Sequence, residues 1–167
     1  MRTPQGEELS RLIWHILEAA NRLTEAGNRL SAPFGLTAAR WQVMGVIVEQ
    51  TVTVADIARQ LSQTRQGVQR LADELVRDGL AGYSPNPRHV RAKLLAPTPQ
   101  GIESYRKLMA DQAKWVNALS ASMRVEDIAA ARGLLATLSA ALKAQALSFS
   151  DENGPSFAEP NPPAASR

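Results

Sequence analysis

The 167-residue chain contains no cysteine. That excludes disulfides, cysteine-ligated zinc, iron–sulfur clusters and thiol-based redox sensing. Histidine is nearly as scarce: there are two, His15 and His89, so a metal site has few ligands to draw on. Aromatic residues make up 5% of the chain, which weighs against an all-β sandwich. No run approaches the ~18 uninterrupted apolar residues of a membrane span. Glu7, Glu8 and Arg11 interrupt the place where a signal peptide would be apolar. The expected setting is therefore the cytoplasm, with no membrane partner. A glycine-rich phosphate loop, a His-Glu-x-x-His helix and a Glu-x-x-His pair are also missing, so neither an enzyme nor a cofactor is expected.

What is present reads as a globular domain, with 44% hydrophobic and 21% charged residues. A chain near this length buries roughly 68–70% of the surface its unfolded form exposes, enough for a core without staples. From Gly6 to Leu30, residues Leu9, Leu12, Ile13, Ile16, Leu17, Ala20 and Leu23 repeat at helical spacing and form one apolar stripe. Pro33 and Gly35 end it, and Thr37 is placed to cap a second helix with Trp41, Met44 and Val48 on its inner face. Gly45 weakens that helix by roughly 1 kcal/mol relative to alanine unless it admits a close neighbour.

A short helix, Val54 to Leu61, follows Thr53, with Asp56 completing a capping box. Thr64 caps the next helix, about Arg65 to Asp78, which Gly79 stops. Two strands are expected at Leu80–Tyr83 and Val90–Ala96, around the turn Ser84-Pro85-Asn86-Pro87. Thr98-Pro99 opens a long helix, and a last one spans about Glu126 to Phe149. From Ser150 the composition turns to Pro, Asn, Ser and Glu, and a disordered tail is expected over 150–167.

The charge is concentrated. Between residues 53 and 95, Arg59, Arg65, Arg70, Arg77, Arg88, Arg91 and Lys93 face four acids, Asp56, Asp73, Glu74 and Asp78. That segment carries the whole net charge of +3. Thr64–Ala72 and Ser84–Leu95 hold five of those cations and no acid. A helix start and a basic hairpin both suit DNA grooves, because a helix N-terminus adds partial positive charge and free N–H groups. With Val68, Leu71 and Leu75 packed inward, Arg65, Gln66, Gln69 and Arg70 stay outside, with the donor and acceptor geometry to read adenine and guanine edges. Gly67 keeps no side chain between backbone and DNA.

The ordered set Trp41-Gln42-Val43-Met44, Val54-Ala55-Asp56-Ile57-Ala58-Arg59-Gln60-Leu61, Thr64-Arg65-Gln66-Gly67-Val68-Gln69-Arg70-Leu71, Asp78-Gly79-Leu80, Asn86-Pro87-Arg88-His89-Val90-Arg91-Ala92-Lys93 and Leu95-Ala96-Pro97-Thr98-Pro99-Gln100-Gly101 resembles the MarR family. The resemblance covers about residues 7–148. It implies a mainly α fold with a small β-hairpin wing: a winged helix-turn-helix core flanked by long dimerisation helices. The expected domain is 7–149, with a DNA-binding lobe at 37–96, dimerisation helices at 7–31 and 99–149, and a flexible start at 1–6.

The function that the resemblance implies is a homodimeric transcription regulator, a repressor that leaves its pseudo-palindromic operator when a small aromatic or amphipathic effector binds. The expected DNA-binding residues are Thr53, Thr64, Arg65, Gln66, Gly67, Gln69 and Arg70, with Arg88, His89, Arg91 and Lys93 on the wing. Arg88 is matched to the family's wing arginine, and the acid two residues earlier is Asn86 here. For the effector, Trp14, His15, Trp41, Met44 and Trp115 are candidates. Each has a plainer reading: Trp14 as a dimer contact, His15 as a part-buried hydrogen-bonded residue, Trp41 and Met44 as core, and Trp115 as any of these. Two alternative functions stay open: a constitutive or architectural DNA-binding protein without effector, and a winged-helix protein-interaction module.

Overall fold

A computed structural model describes residues 2–89 and 91–152, the last seven as helical backbone. The chain divides into two units, residues 1–118 and 119–167. In the first, the order is α1 (Pro4–Ser31), a 3₁₀ turn (Ala32–Phe34), α2 (Ala38–Glu49), β1 (Val52–Thr53), α3 (Val54–Leu61), α4 (Arg65–Arg77), β2 (Ala81–Ser84) and β3 (Leu94–Pro97). It closes with α5 (Pro99–Ser120), whose last turn enters the second unit, where α6 (Val125–Glu152) lies.

Local chemistry starts each helix. Thr3 Oγ1 accepts from the Gly6 amide at 3.1 Å, so α1 begins at Pro4 and not after a flexible stretch of six residues. The Thr3-Pro4 pair is the same cap-then-proline signature as Thr98-Pro99. Thr37 accepts from the Arg40 amide at 3.2 Å and Thr64 from that of Gly67 at 3.1 Å. Gly79, at φ +73°, ends α4 in the left-handed conformation that suits glycine. The last helix starts at Val125, where Arg124 reaches forward to Asp127 and donates two bonds of 2.8 and 2.7 Å. Ser150–Glu152 continue α6, so the expected tail does not begin at Ser150, and the rest of that stretch lies outside the described residues.

The sheet differs from a simple hairpin. It has three antiparallel strands in the order β1-β3-β2, with Val52 opposite Leu95 and Tyr83 also opposite Leu95. A two-stranded hairpin is marginal alone, and the added edge strand braces it. The second hairpin strand is shorter than the alternation suggests. It begins at Leu94, leaving Arg91 and Lys93 in the connecting loop, and Val90 lies outside the described residues.

The core gathers Val43, Met44 and Ile47 of α2, Ile57 of α3, Val68 and Leu75 of α4, Leu95 of β3 and Leu108 of α5. The inner face of α2 is thus Val43, Met44 and Ile47, while Trp41 and Val48 are only half-buried. This helix is apolar on several sides and packs against α1, α4 and β3, so spacing alone did not single out one face. Gly45 does admit a close neighbour: a Cβ there would stand 3.4 Å from Tyr105 Oη of α5.

Four elements converge after α4. The Arg40 guanidinium of α2, with its side chain 10% exposed, meets Asp78 at 2.7 Å. The Thr98 hydroxyl donates to Gly79 O at 2.6 Å and its amide donates to Leu80 O at 3.1 Å. Gly101 presses its backbone against the same carbonyl, and a Cβ at that position would fall 1.9 Å from Leu80 O. No side chain fits there without displacing α5 or β2. Gly101→Ala is therefore expected to lower stability by about 1–3 kcal/mol, the usual cost of overpacking. Urea denaturation of the two chains measures it.

Candidate nucleic-acid interface

The helix α3, the turn Ser62–Thr64 and α4 form the helix-turn-helix. Ser62 adopts φ +53°, and its amide bonds back to Arg59 O at 3.4 Å. This tight reversal presents the N-terminus of α4 outward. Arg65 and Gln66 are exposed there, Gly67 is half-buried, and Thr64 is engaged as the cap. A Cβ at Gly67 would meet Thr64 Oγ1 at 3.0 Å, so this glycine also keeps the cap clear.

Thr53 forms the capping box that the sequence leads one to expect. It ends β1 and caps α3, donating to Asp56 Oδ2 at 2.6 Å and accepting from the Asp56 amide at 3.2 Å. Both hydroxyl functions are committed within the chain, so in this arrangement the hydroxyl hydrogen is already donated to Asp56. Gln69 is likewise engaged, through Nε2, with Asp73 and Tyr83. Arg70 is exposed and lies 3.5 Å from Glu74, where sequence counting left it without a counter-charge. A pair that exposed contributes at most about 1 kcal/mol, so phosphate can displace the glutamate.

The wing loop between β2 and β3 carries the other cations. Arg88, His89, Arg91 and Lys93 are all exposed. Asn86 Oδ1 accepts from the Arg88 backbone amide at 2.9 Å, a side-chain turn that shapes the tip without an ion pair. Among the described residues, Arg65, Arg88, Arg91 and Lys93 make no ion pair. Arg65, Gln69, Tyr83, Arg91 and Lys93 share one cleft of about 330 Å³ between α4 and the wing. Arg88 and His89 line a second, of about 690 Å³, with Arg59 of α3. Helix start and wing thus form one basic surface.

The five effector candidates do not come together. Trp41 lines a groove of about 500 Å³ between α1 and α2, with Leu23, Gly27, Ala38 and Gly45. Trp14 is 75% exposed and His15 is also exposed, so His15 is not the part-buried residue its place beside the stripe suggests. The two share a separate shallow cleft with Leu17, Glu18 and Asn21. Met44 is fully buried in the core, with no surface to offer a ligand. Trp115 is half-buried on α5 and lines none of these clefts. No group of three or more His, Asp or Glu that could hold a metal occurs among the described residues, and no helix there is long and apolar enough to cross a membrane.

A family model described as MarR matches residues 34–92, which contain the helix-turn-helix and the wing. The chain belongs to the MarR family. It is 35% identical over 140 residues to an uncharacterized protein of Mycobacterium tuberculosis, Rv2011c, covering 84% of this chain and 98% of that one. Over 99 residues it is 33% identical to the transcriptional activatory protein BadR of Rhodopseudomonas palustris, covering 57% of each. Among solved structures, a mutant MarR from E. coli complexed with operator DNA shares the fold, with TM-score 0.68 and 24% identity over 78% of this chain and 93% of that one. This MarR-family chain is a transcription regulator, with a winged helix-turn-helix whose sheet has three strands.

The Thr53–Asp56 capping box that holds this sheet to α3 also titrates. The Thr53 hydroxyl holds the Asp56 carboxyl below the usual carboxylate range, with Arg59 adding to it. A carboxyl depressed on folding stabilises above its unfolded value, about 4, and that contribution fades as pH falls through the lower folded value. Thr53→Ala removes the cap, at about 1 kcal/mol near neutral pH. The stability gap between the two chains is expected to narrow below about pH 4, as acid denaturation series on both will register.

Proposed function

We propose that this chain binds a pseudo-palindromic operator as a homodimer and represses transcription until a small aromatic or amphipathic molecule displaces it. The observation that carries the reading is the pairing of an exposed Arg65-Gln66 helix start with a wing bearing Arg88, Arg91 and Lys93, all without ion pairs among the described residues. Such an arrangement combines base readout in the major groove with phosphate or minor-groove contact from the wing. The operator-bound E. coli relative supports the same use of the fold.

Dimerisation is supported by apolar faces left uncovered within each unit. On α1, Leu9, Ile13, Leu17 and Leu23 are each at least 39% exposed, and on α6 Ile128, Leu134, Leu135 and Leu142 are at least 43% exposed. Faces of this extent mark interfaces in soluble chains. Both lie in the expected dimerisation segments 7–31 and 99–149, and a two-fold dimer sets two recognition helices about one DNA turn apart.

Arg88→Ala is expected to weaken binding to operator and random duplexes alike, and to reduce the salt slope by about one for each phosphate that a subunit no longer neutralises. Affinities across a salt series, with light scattering to establish a two-chain particle, test the proposal. A monomer at micromolar concentration, or unchanged nonspecific binding in Arg88→Ala, is the contrary result.

The effector is assigned to the α1–α2 groove around Trp41, whose walls are mainly apolar. Thermal shift against aromatic acids should give a stabilising compound, since a ligand at 100 times its Kd adds about 2.7 kcal/mol. Trp41→Ala should abolish that shift. BadR is named an activator, so the sign of regulation is read with a promoter fusion: repression requires lower reporter output when the protein is present.

A further inference from the structure

Gln69 stands where α4 faces the wing. Its Nε2 lies 2.9 Å from Asp73 Oδ1 and 2.7 Å from Tyr83 Oη, while the Tyr83 hydroxyl donates to the same Oδ1 at 2.8 Å. A carboxylate only accepts, so the amide atom beside Asp73 must be the nitrogen, and the neighbours fix which way the amide is turned. The three atoms close a triangle. Shared evenly between the two acceptors, each amide hydrogen lies about 30° off its edge at Nε2, giving an N–H···O angle of about 135°, which a hydrogen bond tolerates. Both donors of Gln69 are thereby engaged, and among the described residues Oε1 is its one unoccupied polar atom. Burial and the Asp73 carboxylate push the Tyr83 pKa up to about 12, so the hydroxyl remains a donor at all ordinary pH. Gln69 is half-buried, lies one turn beyond the exposed Gln66, and opens on the cleft shared with Arg65, Arg91 and Lys93.

A free glutamine reads adenine with two bonds, accepting from N6 and donating to N7. Held by its neighbours, Gln69 offers one. We propose that the Tyr83–Asp73 pair fixes Gln69 as an acceptor only, so that it selects a base with an exocyclic amino group in the major groove, adenine or cytosine, without separating the two. Guanine and thymine present O6 or O4 there, which Oε1 repels. Tyr83 is then a positioning residue: from the wing strand it sets the selectivity of a helix residue without itself touching a base. The inference rests on the DNA-binding reading above.

The test is selection from a randomised duplex pool by the full-length chain, followed by sequencing, for wild type, Gln69→Ala and Tyr83→Phe. In wild type, one position of each half-site should hold adenine and cytosine within about threefold of each other and exclude guanine and thymine. Gln69→Ala should lose that preference at that position alone. Tyr83→Phe frees one amide hydrogen for adenine N7 and should shift the position toward adenine by about fivefold or more, the lower end of what bidentate readout adds. The inference is overturned, with DNA binding intact, by an adenine-cytosine pattern that survives in Gln69→Ala. An adenine-only position that vanishes in Gln69→Ala, or an unchanged ratio in Tyr83→Phe, overturns it equally. A Tyr83→Phe chain that enriches no sequence also counts against it, because removing one hydroxyl should leave the other positions of the site intact. A wild-type chain that enriches nothing overturns the DNA-binding reading itself.

Discussion

Helix α4 is aimed by the three residues that follow it. Asp78 receives Arg40 of α2, Gly79 turns the chain with a positive φ and receives Thr98, and Leu80 O takes the Thr98 amide while Gly101 packs against it. Helix α2, helix α4, the wing sheet and the start of α5 therefore meet at one junction. Much of it is made of backbone groups, which tolerate little adjustment. The Arg40 side chain is nearly buried and its Nε has no partner among the described residues, so its contribution comes through the Asp78 contact alone. Arg40 is the buried partner, and removing Asp78, which is itself partly exposed and also meets Arg77, would leave that guanidinium charge uncompensated.

The basic surface gains from restraint elsewhere. Several of the chain's arginines are paired within one helical turn: Arg11 with Glu8, Arg22 with Glu18, Arg106 with Glu103 and Arg124 with Asp127. Those pairs are exposed and contribute little stability. They do neutralise positive charge away from the helix start and the wing, so the potential that an anionic partner meets is concentrated where Arg65, Arg88, Arg91 and Lys93 stand without an ion pair among the described residues.

The sequence is most legible where a single residue type has a single local job. Threonines 37, 53, 64 and 98 each precede a helix and each accepts a backbone amide in its first turn, and Gly79 stops α4. The MarR-type winged helix could be read from the order of these signals. Strand β1 could not: two residues carry no periodicity, and it exists because β3 offers it an edge. Arg91 and Lys93 alternate with Ala92 and Leu94 as a strand would, yet the wing is loop there. Local alternation does not record where cross-strand pairing ends. The site was legible in its location and less so in its roles. That Gln69, Arg70 and Thr53 have partners depends on Asp73, Glu74, Asp56 and Tyr83; three of these lie three or four residues along a helix, and Tyr83 comes from a strand fourteen residues on.

The register of β1 has a consequence for the order of assembly. Val52 pairs with Leu95, so 42 intervening residues must be arranged before the third strand exists. Loop-closure entropy rises with the length of chain enclosed, and such distant pairings come late relative to local ones. The packing of α3 on α4 is made across a three-residue turn and needs no such closure. A nascent chain emerging as far as residue 77 can already form the α3–α4 pair, while the sheet waits for residues 94–97. The helix pair is thus built before the sheet beside it, and Thr53, which belongs to both, is the point at which the early and late parts of the fold are joined.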